Sequence, residues 1–236
     1  PNVFLIIGST SAAFIDSGYD RPEEIRDYLN YWNKQDSPKI SGIVITHRHL
    51  DHAGGASGIR QGTNGAIICH VLEKEAIDEQ LKSAPVDTTV KDNDSLDLGG
   101  LTLQFIHSPG HTLGSLCVYI PERKVLFAGD NILGVGPTVI LPEHGDMDSY
   151  IKTMRKLLTY KIDAIYPGHG PTVTDPKAKI EWLIQHRLER EEQILSLISK
   201  GRCTLDYLFT HIYTDLAPVL HQMAKSQIQS HIIKLE

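Results

Sequence analysis

The residues best suited to chemistry lie together in residues 46–55, which read Thr-His-Arg-His-Leu-Asp-His-Ala-Gly-Gly. Three imidazoles and one carboxylate fall within six positions, at His47, His49, Asp51 and His52. Burying that many polar groups without partners would cost roughly several kcal/mol each. They need a common partner, and a metal ion supplies one. Neutral imidazole and carboxylate are good zinc ligands, and no thiolate in the cluster argues for an iron–sulfur centre. His47 and His49 stand two apart, so on an extended loop they project to one side. Asp51 and His52 are adjacent and must diverge, which points to two metals rather than one. The bland reading, a surface loop that happens to be rich in histidine, suits any one of these residues better than it suits the set.

The elements around this loop place further candidates. Ile43, Val44 and Ile45 read as a buried strand that ends where the polar cluster begins. Residues 101–106 read as a strand leading to His111, residues 125–127 as one ending near Asp130, and residues 164–166 as one ending near His169. A glycine immediately precedes each of these three side chains (Gly110, Gly129, Gly168), where a tight turn or close backbone approach is needed. Four strand ends therefore present metal-competent groups.

The rest of the chain reads as alternating strands and helices, hence sheet packed against helices in an α/β fold. Residues 2–8 and 12–16 form a hairpin, Pro22 opens a helix that runs through Trp32, and residues 66–71 and 73–81 are a strand and a helix. Residues 148–159 are helical. After Asp175 and Pro176 the pattern becomes all-helical. A long helix over residues 177–200 is expected to bury Ile180, Leu183, Ile184, Leu188, Leu195 and Ile198, with the charges of Arg190, Glu191 and Glu192 on a solvated face. Helices over 204–213 and 218–235 follow. This divides the chain at 175, into a sheet-containing domain (1–175) and a helical module (176–236) like the trihelical part of a winged helix, without its wing.

At 236 residues the chain can bury a sizeable core. Its formal charge of −6 offers no global attraction to nucleic acid, so any polyanion binding must be local. No stretch approaches the roughly 20 apolar residues of a membrane span. Cys69, Cys117 and Cys203 form no metal or redox motif and read as reduced core residues. The chain opens at Pro1 within a strand, so the true N-terminus and any targeting peptide are expected to lie upstream.

Residues 46–55 together with His111, Asp130 and His169 resemble the metallo-β-lactamase fold superfamily. The resemblance covers nearly the whole chain. It implies an αββα sandwich with the site at one edge, followed by the C-terminal helical, winged-helix-like module. His47, His49 and His111 would hold one zinc, Asp51, His52 and His169 a second, and Asp130 would bridge them. Asp51 would also orient or relay a proton for water activated by the two zinc ions. Aspartate at 130, where a thiol-ligand β-lactamase carries cysteine, fits the glyoxalase II and ribonuclease branches. Residues 127–134, 165–171 and 189–195 resemble the β-lactamase-like endoribonucleases, although Arg48 and Leu50 replace an aromatic and a basic residue of that group.

That resemblance implies a zinc-dependent endoribonuclease acting on single-stranded RNA, located in the mitochondrial matrix, with the cytoplasm as the alternative and homo-oligomers as a further expectation. A glyoxalase II-like thioester hydrolase and a non-catalytic RNA-binding or scaffold protein are the competing readings. Thr112, Asn131 and His144 are candidates for substrate contact or for supporting the ligands. Tyr19, Trp32 and Tyr166 could stack on bases. His70, His107, His186, His211, His221 and His231 lack ligand spacing.

Overall fold

The computed structural model describes residues 1–82, 84–201 and 204–236, so Cys203 lies outside the described residues. Two five-stranded mixed sheets form its centre. The first runs β1 (Phe4–Ile7), β2 (Ala12–Ile15), β3 (Ile40–Val44), β4 (Ile67–His70), β5 (Thr88–Val90). The second runs β10 (Ala164–Pro167), β9 (Val125–Gly129), β8 (Leu116–Ile120), β7 (Thr102–His107), β6 (Ser95–Asp97). Strands β2 to β5 are parallel to one another, as are β9 and β10, while the remaining pairs are antiparallel.

Both faces of the central strands are covered, which explains why β2 and β8 are uninterrupted runs of buried residues. Successive side chains point to opposite faces. Ala13, Ile15, Val44, Phe105, Val118 and Phe127 therefore fill the space between the sheets. Their neighbours Phe14 and Ile43 meet Ile59 and Ile77 of α3 (Ala56–Thr63) and α4 (Lys74–Leu81) on one outer face, where Tyr28 and Trp32 of α1 (Pro22–Asn33) pack too. On the other outer face, Ile106 and Leu126 meet Tyr150 and Met154 of α5 (Met147–Leu157) and Leu183 of α6 (Pro176–Ile198). The result is the expected four-layered αββα arrangement.

The loop after β3 bends through residues 46–48 and is extended at His49. A short helix, α2 (Leu50–Ala53), follows at once, which turns Asp51 and His52 away from the run that carries His47 and His49.

The C-terminal helical region packs differently from its apolar pattern. α6 buries Ile180, Leu183, Arg187, Glu191 and Ile194, and exposes Leu195 and Ile198. The expected solvated face of Arg190, Glu191 and Glu192 is thus partly an inward one. Beyond Leu188, the helix leaves the sheet and meets α7 (Leu205–Ile212) and α8 (His221–Leu235) instead, through Ile194, Leu208, Phe209, Ala224 and Ile228. The direction of burial changes because the partner changes. Among the described residues no helix is long and apolar enough to cross a membrane.

Candidate metal centre

Parallel pairing puts strand ends on one edge. Asp16 follows β2 beside the end of β3, and Asp130 and His169 follow the paired ends of β9 and β10. The turn between β7 and β8 adds His111. All seven anticipated residues come together there. His47, His49 and His111 form one group, Asp51, His52 and His169 a second, and His47, His52 and Asp130 a third; within each, the ligand atoms lie within 4.8 Å of one another.

In the first group His49 Nδ1 lies 2.9 Å from His47 Nε2 and 3.0 Å from His111 Nε2. In the second, His169 Nε2 lies 3.0 Å from Asp51 Oδ2 and 3.2 Å from His52 Nε2. Ligand atoms about 2.1 Å from a tetrahedral zinc stand about 3.4 Å apart, so both triads are close to coordination spacing. Asp130 lies between them, with Oδ1 3.3 Å from His52 Nε2 and Oδ2 3.9 Å from His111 Nε2. Its buried Oδ1 has no hydrogen-bond partner. A buried carboxylate oxygen left unpaired among imidazole nitrogens is accounted for by a cation. The donor set fits a pair of divalent metal ions.

Partners behind the ligands fix which ring nitrogen faces inward. His52 Nδ1 donates to Asp16 Oδ2 at 2.7 Å, and His111 Nδ1 donates to the Val139 carbonyl at 2.7 Å. Both rings then point Nε2 toward the centre. Burial holds His47 well below its ordinary pKa and His111 below it, and pushes His49 down to about 4, so these three present lone pairs. For His52 burial works against the charge, but the Asp16 and Asp130 carboxylates outweigh it and raise the pKa to about 10. Asp130 is held low despite its burial by the charge of His52, with His111 and His169 acting in the same direction.

Two of these supports were invisible as motifs. Asp16, 2% exposed, also accepts from the Thr46 backbone and hydroxyl at 2.8 and 3.0 Å; its one sequence signal is a carboxylate closing an apolar strand. Glu73, fully buried, accepts from the Arg48 backbone N–H at 2.9 Å, the Arg48 Nε at 2.7 Å and the Gly114 N–H at 2.8 Å. It ties together three loops at the mouth, a role that no local pattern announces. Arg48 is consequently committed to an ion pair, while Leu50, Leu72 and Leu113 around it are exposed.

The secondary candidates are mostly occupied by structure. Thr112 is buried and shares a hydrogen bond with Ser115 Oγ at 2.8 Å. Asn131 donates to the Ser108 carbonyl at 2.8 Å and receives the His111 N–H at 3.5 Å, so it helps to seat that ligand's backbone. His144 is exposed and accepts a backbone bond from Leu113. Tyr166 stacks on Phe127, and Trp32 donates to the Pro38 carbonyl at 2.8 Å. Tyr19 keeps its ring partly exposed beneath the Arg21 guanidinium, 4.4 Å away.

The metallo-beta-lactamase superfamily model matches residues 1–169. The chain belongs to this superfamily. It is similar to a beta-lactamase-like protein 2 homolog of Drosophila melanogaster, with 29% identity over 244 residues, covering 100% of this chain and 82% of that protein. It is also similar to an atrochrysone carboxyl ACP thioesterase of Emericella nidulans, 28% identical over 202 residues and covering 84% of this chain. The chain spans 61% of that relative's length. Among solved structures, a metallo-beta-lactamase family protein from Thermus thermophilus shares the fold with a TM-score of 0.79 at 20% identity, over 99% of this chain and 87% of its own. Another, solved in a di-iron-bound form, has a TM-score of 0.59 at 26% identity, over 73% of this chain and 89% of that one. This superfamily member is therefore a hydrolase by family, with a His/Asp cluster compatible with a dinuclear site.

Proposed function

We propose that this hydrolase cleaves phosphodiester bonds in single-stranded RNA at a dinuclear zinc centre. The observation that carries the reading is Asp130, a shared carboxylate between two donor triads with one buried oxygen unpaired. The RNA assignment is supported by the resemblance to β-lactamase-like endoribonucleases and by the similarity to a beta-lactamase-like protein 2 homolog along the whole chain, C-terminal helices included.

His47, His49 and His111 would hold one ion, Asp51, His52 and His169 the other, with Asp130 between them. Two such ions, when bound, would supply Lewis acidity toward a phosphoryl oxygen and lower the pKa of water so that hydroxide is available near neutral pH. The chain supplies the remaining conditions. Asp16 and the Val139 carbonyl hold His52 and His111 in the tautomers that aim Nε2 inward. Asp51, with its side chain 21% exposed, would take up a proton from water or pass one to solvent. Glu73 keeps Arg48 and the 113–114 turn fixed at the mouth.

A thioester substrate is the second reading. Two features favour it: the similarity to ACP thioesterases, and the exposed Leu50, Leu72 and Leu113 on the segments next to the cluster, where the local cation Arg48 is already paired. A labelled single-stranded RNA and an acyl thioester offered to the same preparation decide between them, with His49→Ala as the contamination control. RNA cleavage that disappears in the variant supports the proposal. Thioester turnover without RNA cleavage overturns it.

A further inference from the structure

Beside the metal centre, α6, α8 and residues 213–220 form an open cavity of about 310 Å³ against residues 137–139. Pro137, Val139, Leu216, Leu220, Met223 and Ala224 give it an apolar lining, and Arg187 and Arg190 also line it. Arg187 is 2% exposed, and one Nη donates to the Thr138 carbonyl at 2.6 Å. Arg190 Nη1 donates to Gln193 Oε1 at 2.8 Å, and its guanidinium lies 4.5 Å from the Tyr213 ring centre. The Nε of each arginine is buried without a hydrogen-bond partner.

Neither arginine makes an ion pair among the described residues. The neighbouring carboxylate, Glu191, is held by Lys234 at 2.9 Å and does not line the cavity. His186, on the rim, is kept toward its neutral form by burial. Two guanidinium groups three residues apart, Arg187 buried and Arg190 partly so, thus line an apolar space whose walls carry no carboxylate. Leaving buried charge unpaired is costly, and guanidinium suits a two-oxygen anion. The volume lies at the small end of the roughly 300–1,000 Å³ range of ligand cavities.

We propose that this cavity binds a small amphiphilic carboxylate, its head group paired with Arg187 and Arg190 and its aliphatic or aromatic body against Leu216, Leu220 and Met223. The site is separate from the metal ligands but adjoins them. Thr138, which receives the Arg187 bond through its carbonyl, places its hydroxyl 3.2 Å from His111 Nδ1.

Calorimetric titration of the full chain with octanoate, octanol and octyl phosphate tests the assignment. Arg187→Met risks the fold, so Arg190→Gln carries the comparison, and His49→Ala controls for carboxylate binding at metal. Saturable octanoate binding that persists in His49→Ala and weakens by about tenfold or more in Arg190→Gln, with no octanol binding, is the expected result. Absence of saturable octanoate binding, loss of it in His49→Ala, or equal binding of octanol overturns the proposal. Octyl phosphate binding tighter than octanoate overturns the choice of a carboxylate.

Discussion

Asp16 shows how one side chain outside the ligand set controls it. Its carboxylate holds His52 Nδ1 and two groups of Thr46 while staying buried. Asp16→Asn keeps the shape but removes the charge that the His52 N–H faces, so metal affinity should fall by about 10–100-fold, as read by competition with a chromophoric chelator. Gly168 constrains the centre sterically instead. A Cβ there would run into Asp130 Oδ1 and approach His52 Cε1 to 2.6 Å. Gly168→Ala should lose most metal-dependent hydrolysis while its circular dichroism stays native; an unchanged rate would show that the centre can relax. Glu73→Gln replaces a buried carboxylate that serves two backbone donors and the partly exposed Arg48. With allowance for solvent around Arg48, it should cost about 2 kcal/mol of unfolding free energy by denaturant titration.

Among the elements, the strands were the most legible part of the sequence. Short apolar runs such as residues 12–16 and 40–45 end in glycine or polar turns, and their period fixes burial wherever both faces are covered. Helix α6 was half legible. Asp175 caps it, accepting from the Ala178 N–H at 3.1 Å, and Gly201 closes it with a positive φ of 77°, both as the sequence suggests. Its C-terminal half misleads because Arg187 and Glu191 turn inward and look, in sequence, like any charged exposed face. His231 of α8 belongs to the same buried stripe. It is fully buried beside Glu191, with Arg187, Arg190, Lys234 and His186 also acting on it, and burial pushes its pKa down to about 3. The folded state keeps this ring neutral while the unfolded chain protonates it near pH 6.5. Stability from this group is therefore complete above about pH 6.5 and is lost as pH falls toward 3, by up to about 1.4 kcal/mol per pH unit. His231→Leu should flatten the fall in unfolding free energy between pH 6.5 and 5; parallel curves would refute that placement.

At the level of the whole molecule, two sheets and their covering helices exist on this reading to bring side chains from residues 47 to 169 onto one edge. The clustering of these seven side chains was legible because candidate metal ligands of particular residue types stand at strand ends. Asp16, Glu73 and the Val139 carbonyl were not, since their partners lie far along the chain and each makes its contact only once the sheets are assembled. The arginine-lined cavity was hidden for the same reason, because it needs α6, α8 and residues 137–139 in place together. The central claim is that seven side chains hold two metal ions with Asp130 shared. Metal content per chain, measured by mass spectrometry after dialysis of the wild type and of Asp130→Ala against limiting free zinc, tests it most directly. The account predicts two zinc ions per chain in the wild type and one or fewer in a folded variant. One ion in the wild type, or two retained after Asp130 is removed, would contradict it.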